Sequence, residues 1–443
     1  MTTRPPFGPE PREPRQLHPS WPGRIAVIAA LGAMAPQATL AQALDRTTPN
    51  PLLTFNLSEG LGLETNADLD PGVEDAEPRS TTTLGLSYLT ATPISQFSLS
   101  AGVTVDTPLS SDVSSQDVQV DGPRLDFGYS RAVPSSSLDL SGSLGQTEVS
   151  FLRSLTDFIG DDGSIDLPDD FEEFRGEGSR RNASLGAVLT LRDDAPFGIT
   201  LSTGFDSVSY DDVTSGELID YRTTDFEASF RFRLTEAASL NAGLRSSVYD
   251  EDGDEPVTRY GLDVGGSIDR PAGQIFGQLA FDDTEDGLRT ELSFGRELQR
   301  PLGLFSGRLG VARDATGELQ LTGGVQASRT LPRGSASLSL DQSVQTREGE
   351  DEELVTTLAA QYQRNLTPLA SLSLDALYGE TQTTGGGDST SSIEFGASLN
   401  RQLAEDWSLS LGYRHQQRDE TGDELARNES LFLTIGRSFR GGF

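Results

Sequence analysis

Apolar and polar residues alternate with a period of two along most of this chain, which only strands with two unlike faces can satisfy. Leu84, Leu86 and Tyr88 are separated by small residues, and Phe97, Leu99, Ala101, Val103 and Val105 form the next such face. The pattern recurs over 183–191, 226–234, 288–294, 305–311, 354–362, 393–399 and 407–413. Each segment runs for about nine to thirteen residues, the length of a tilted strand that crosses a bilayer. Counted from residue 44 onward there are about twenty of them, with 18–22 as the range.

The connectors come in two alternating kinds. One kind is short and often carries proline, as at Thr92-Pro93, Val133-Pro134, Ala195-Pro196, Pro301 and Thr367-Pro368. The other is longer and acidic, as at 67–79, 107–123, 151–179, 211–220, 347–353 and 419–427. An up-and-down barrel with both termini on one side of a membrane requires this sorting, whereas a soluble sandwich has no reason to gather acidic loops at one end. The fold expected is therefore all-β: a transmembrane up-and-down antiparallel β-barrel of about 20 strands, occupying residues 44–443 as one domain.

Composition agrees. Only 35% of residues are hydrophobic, too few for several packed cores but enough for one apolar face per strand. The absence of cysteine excludes disulfides and thiolate metal sites. A net charge of −34 argues against a nucleic-acid partner, which needs a basic footprint.

Residues 1–43 read as a cleavable signal peptide. Arg4, Arg12, Arg15 and Arg24 precede an apolar run over 25–35, and Ala41-Gln42-Ala43 offers a cleavage point. That run is too short to span a bilayer as a helix, and after it no stretch approaches a transmembrane helix, so a membrane-embedded chain must close a barrel.

Opposite the apolar face, the strands carry small or charged residues of mixed sign. Glu227, Arg231, Arg233, Glu291, Glu394 and Arg414 are candidate linings of a wet lumen. Tyr210, Tyr221, Tyr249, Tyr260 and Tyr378 fall near outer strand ends and are candidates for an interfacial aromatic belt, although parity turns some of them inward.

Chemistry finds little purchase. Beyond His18 in the leader, the chain has a single histidine, His415, and no Ser-His-Asp constellation can be assembled around it. The run Asp250-Glu251-Asp252-Gly253-Asp254 has Glu255 and Gly261 where an EF-hand needs glycine and glutamate. No catalytic residue, cofactor or metal site is expected, and the protein is not expected to be an enzyme. The longest loop, 151–179, interleaves Phe151, Phe158, Phe171 and Phe174 with acids. If its aromatics bury in the lumen, Asp157, Asp161, Asp162, Asp169, Asp170, Glu172 and Glu173 form a candidate constriction.

The final residues carry a resemblance. Leu431, Leu433, Ile435, Phe439 and Phe443 alternate to a terminal aromatic, which resembles the assembly signal of bacterial outer-membrane β-barrels, with Phe439 and Phe443 as its aromatic positions. Gly441 and Arg437 depart from that pattern. The stretches 406–414 and 428–434 look like the closing hairpin of large outer-membrane barrels, some associated with exopolysaccharide systems. The loop 151–179 resembles the third loop of general porins in position and length, without the usual Pro-Glu-Phe-Gly-Gly stretch. These likenesses imply a bacterial outer-membrane location, with lipid, lipopolysaccharide and the barrel assembly machinery as partners. The function expected is a passive porin-like channel for small hydrophilic solutes. The alternatives are a barrel component of polysaccharide export or surface assembly, and an occluded structural or adhesive surface barrel. Plug-containing TonB-dependent transporters are not expected, because no globular plug is recognisable before Leu52.

Overall fold

The computed structural model describes residues 51–66, 69, 72, 76–109, 119–149, 154–160, 162–168, 170–174, 178–213, 218–346, 352–384 and 389–442. The leader reading and Phe443 lie outside the described residues. Twenty strands follow one another in chain order. The first ten are β1 (Leu52–Glu64), β2 (Glu77–Ala91), β3 (Ser95–Pro108), β4 (Gln119–Val133), β5 (Ser136–Glu148), β6 (Ser179–Leu191), β7 (Phe197–Asp211), β8 (Tyr221–Arg233), β9 (Ala238–Glu251) and β10 (Val257–Arg270). The rest are β11 (Gly273–Thr284), β12 (Gly287–Arg300), β13 (Gly303–Arg313), β14 (Leu319–Leu331), β15 (Gly334–Gln345), β16 (Glu353–Thr367), β17 (Ala370–Thr383), β18 (Ser389–Ala404), β19 (Trp407–Glu420) and β20 (Ala426–Gly442).

Every strand pairs antiparallel with its neighbours in sequence, and β1 also pairs with β20, from Leu52 opposite Gly442 to Glu64 opposite Ser430. The sheet is thereby a closed ring, so all of its ladder hydrogen bonds are made internally, as a bilayer demands. The expected barrel and its strand number are observed.

Alternation explains which way each residue points. Phe294, Leu309, Leu321 and Leu185 are 63%, 64%, 59% and 56% exposed on the exterior, a cost in water that disappears against lipid. Their neighbours in the strands turn inward, where Asp263, Ser293, Glu297, Thr322, Thr357 and Glu394 are buried. The wall is thus mainly apolar outside and mainly polar inside.

The connectors sort as read from the sequence. Strand pairs β2–β3, β10–β11, β14–β15 and β18–β19 are joined by short turns at one end, and the longer loops gather at the other. Gly334, which follows the turn at Pro332-Arg333, shows why glycine is used there. Its φ is +154°, and an added Cβ would stand 1.9 Å from the Gln363 carbonyl oxygen of the adjacent strand.

Candidate functional site

Between β5 and β6 the chain leaves the wall and folds into the lumen. Short 3₁₀ turns form at Leu155–Phe158 and Phe171–Glu173, and Ile159 bridges Ile165 to make a small finger. Its tip is fixed by Asp162, whose Oδ1 accepts the Ser164 N–H at 3.0 Å and its hydroxyl at 2.6 Å. Gly163 supplies the φ of +81° that the tip requires.

What holds this segment is first an apolar cluster. Leu155, Phe158, Leu167, Phe171 and Phe174 are buried against Val355, Ala359 and Leu377, which occupy lumen-facing positions of β16 and β17. The three phenylalanine rings meet edge-on or stacked at 6.0 to 6.4 Å between centroids. The wall thins to receive them, since a Cβ on Gly379 would come within 3.1 Å of Leu155 and 3.3 Å of Leu167.

Polar contacts then pin the segment to two sides of the ring. Asp170 accepts from Arg180 Nε at 2.9 Å and from the Tyr210 hydroxyl, while Arg180 Nη2 donates to the Tyr221 hydroxyl at 3.1 Å. These three partners belong to β6, β7 and β8. One residue further on, the Phe171 carbonyl accepts from Arg418 Nη2 of β19 at 3.0 Å, and the Arg418 guanidinium lies 4.8 Å from the Phe171 ring centre. Glu172 accepts from the Thr381 hydroxyl of β17. In a twenty-strand ring β7 and β17 are ten strands apart, so residues 170–172 tie opposite walls together.

Glu394 of β18 anchors the start of the segment. It is 2% exposed, accepts from Ser154 at 2.9 Å and Thr156 at 3.1 Å, and pairs with Arg414 Nε at 3.0 Å. On a further strand, Gln326 Nε2 of β14 donates to the Asp162 carbonyl at 3.4 Å.

A second set of polar contacts lies at the loop end beside β10–β13. Glu352, 2% exposed, accepts the Ala315 N–H at 2.7 Å and lies 3.5 Å from Arg289 Nη1. Burial pushes its carboxyl up, against the lowering effects of that N–H and of Arg289. Glu285 is also pushed up by burial, but the fork of Arg259 more than offsets this and holds it below the ordinary carboxylate range.

The residues named from the sequence divide accordingly. Asp170 and Glu172 are wall contacts of the segment, Glu173 is half-buried, and Asp162 stands exposed at the tip. Asp157 lies in the first 3₁₀ turn, while Asp161 and Asp169 fall outside the described residues. Glu227, Arg231, Arg233, Glu291, Glu394 and Arg414 all take lumen-side positions. Arg231 is tied to Asp193 at 3.0 Å near the short-turn end, and Glu291 accepts from Thr322 at 3.0 Å. Phe439 lies on the exterior, 6.0 Å from Phe55 across the β1–β20 pairing. Of the tyrosines placed in the aromatic belt, Tyr210, Tyr221 and Tyr249 turn inward, the last two stacked at 5.4 Å. Tyr260 stays outside, 59% exposed. Sequence reasoning missed Arg180, Arg418 and Thr381. Their signal was a polar side chain on the lumen parity near the loop end, and nothing local tied any of them to residues 170–172.

No protein-family model and no curated protein matches this sequence. Among solved structures the chain is similar to the siderophore receptor PirA from Acinetobacter baumannii, with 8% identity and a TM-score of 0.51 over 88% of this chain and 81% of that one. It is also similar to the FrpB iron transporter from Neisseria meningitidis, F3-3 variant, with 11% identity and a TM-score of 0.50 over 91% and 83%. A third is the ferric enterobactin receptor PfeA from Pseudomonas aeruginosa, solved as a Q482A mutant with enterobactin, with 8% identity and a TM-score of 0.50 over 87% and 81%. What is shared is the fold.

The chain has the fold of bacterial outer-membrane β-barrels. The expectation of a passive porin-like channel is overturned. Barrels of this shape are here represented by receptors and an iron transporter, and a segment packed between opposite walls crosses the lumen.

Proposed function

We infer that this barrel is a gated receptor-transporter, which binds a solute at its loop end and admits it only when the segment 154–174 leaves its seat. The observation that carries this reading is the double tie of residues 170–172, to Arg180 on one side and to Arg418 and Thr381 on the other. Ligand binding that favours the released arrangement shifts the gate by no more than its preference for that arrangement. The similar barrels supply the ligand class, an iron chelate. The acidic loops select within it, because a cationic chelate is drawn to such a mouth, a neutral one gains nothing from it and an anionic one is repelled.

Two measurements test the proposal. The refolded barrel in a planar bilayer is expected to be electrically silent, and replacing residues 155–173 by a short Gly-Ser linker is expected to open a steady conductance. A standing current through the unaltered barrel would sink the gate. Titration with a cationic ferric trihydroxamate is expected to show saturable binding, and an anionic ferric triscatecholate none at the same salt. The reverse order would remove the charge argument.

A further inference from the structure

On the exterior, the strands that descend to the short turns repeat one arrangement near their ends. Arg131 of β4, Arg270 of β10, Arg296 of β12, Arg329 of β14, Arg364 of β16 and Arg401 of β18 all take outward positions and are exposed. Each continues the parity of the apolar exterior. Arg296 stands between Phe294 and Leu298, Arg329 between Ala327 and Leu331, Arg364 between Tyr362 and Leu366, and Arg401 between Leu399 and Leu403. β20 has the same motif, with Arg437 between Ile435 and Phe439. There the guanidinium lies over Phe439 at 4.4 Å and over Trp407 at 5.3 Å.

These six arginines differ from those inside. Arg180, Arg245, Arg259, Arg289, Arg308 and Arg414 each pair with a carboxylate. The side chains of the exterior six make no ion pair or hydrogen bond among the described residues. Nor do acids alternate with them, since Asp269 and Glu297 fall on the lumen side of the same strands. In a chain of net charge −34, an unpaired basic belt flanked by lipid-facing apolar residues is a surface built for anions at the membrane boundary.

We propose that this belt binds the headgroups of anionic phospholipids in the leaflet on the short-turn side. The aliphatic stem of each arginine lies along the apolar exterior while its head reaches the interface. The planar guanidinium then meets a phosphate with two parallel hydrogen bonds. The acidic loops at the opposite end repel the same lipid, so the belt also fixes which leaflet the lipid is drawn from.

The test uses the refolded full chain in nanodiscs of phosphatidylcholine with a minor share of phosphatidylglycerol, read as the phospholipid retained on gentle detergent extraction by mass spectrometry. Phosphatidylglycerol is expected to be enriched about fivefold over its bulk share, the scale of one basic contact with an anionic surface. The enrichment is expected to fall toward the bulk ratio in R296Q/R329Q/R364Q/R401Q and on raising the salt. The loop-end control R222Q/R313Q/R427Q is expected to keep it. A bulk ratio in the unaltered protein overturns the proposal, as does enrichment insensitive to the belt variant or lost equally in the control. Heat-modifiable migration checks folding. If the fourfold variant fails that check, R364Q and R401Q taken singly, with the salt titration of the unaltered protein, decide the question in the same way.

Discussion

Asp170 and Arg180, ten residues apart in the chain, close an ion pair of 2.9 Å inside the barrel, with side chains only 5% and 6% exposed. Such a pair is weak evidence for net stability, but removing one partner strands the other charge in a poorly solvated place. Asp170→Ala is therefore expected to cost the seated segment about 3–5 kcal/mol. Protease cleavage within 154–174 checks it, and unchanged protection would show the tie to be dispensable. Pairing the change with Arg180→Met should recover part of the loss.

The phenylalanines are the apolar half of the same seat. Phe171 and Phe174 are 1% and 0% exposed, and truncating a ring of this kind costs about 3–5 kcal/mol. Phe171→Ala also removes the surface under the Arg418 guanidinium. The expected result is faster hydrogen exchange across 154–174 with the barrel strands unaffected. Equal loss of protection in the strands would mean that the seat and the wall unfold together.

Glu394 gathers the start of the segment and one arginine. Glu394→Ala leaves Arg414 without its partner at 3.0 Å and frees Ser154 and Thr156. The change is expected to open intermittent current in a planar bilayer, shorter-lived than that of the loop-deleted barrel. Complete silence would place the gate nearer to Asp170.

The turn at Asp314, outside the membrane, carries a pH dependence. Burial pushes this carboxyl up, but the Thr316 hydroxyl at 2.8 Å and the Glu318 N–H at 2.8 Å more than offset it, and the group lies below its ordinary 3.8. A carboxyl with a lowered folded value adds stability that is complete above 3.8 and is lost as pH falls through the folded value. Asp314→Asn should therefore speed exchange of the 314–318 amides at neutral pH. The difference from the unaltered protein should vanish well below 3.8. A difference that persisted in acid would refute the linkage.

The wall was legible because a strand with lipid on one side and water on the other writes its geometry as a period of two. The register of 393–399, read from Ile393, Phe395 and Leu399, is the register observed in β18. The seat was only half legible. Phe158, Phe171 and Phe174 announced something to bury, but their partners Val355, Ala359 and Leu377 sit about two hundred residues away, at lumen positions where the pattern merely permits an apolar residue. Tyr210 and Tyr221 misled for a related reason. An aromatic at a strand end suits an interface or an inward hydroxyl equally well, and only Arg180 and Asp170 decide between them.

Pairing β1 with β20 has a consequence for how the molecule comes into being. The partners of Leu52–Glu64 are among the last residues of the chain, so the entropy of closing the longest possible loop must be met before that ladder returns anything. Until then the first and the latest strand each present raw, unpaired backbone, the condition under which sheets recruit strangers. A product truncated before Ala426 keeps two such margins permanently, and its fate is expected to be aggregation or degradation rather than a smaller barrel.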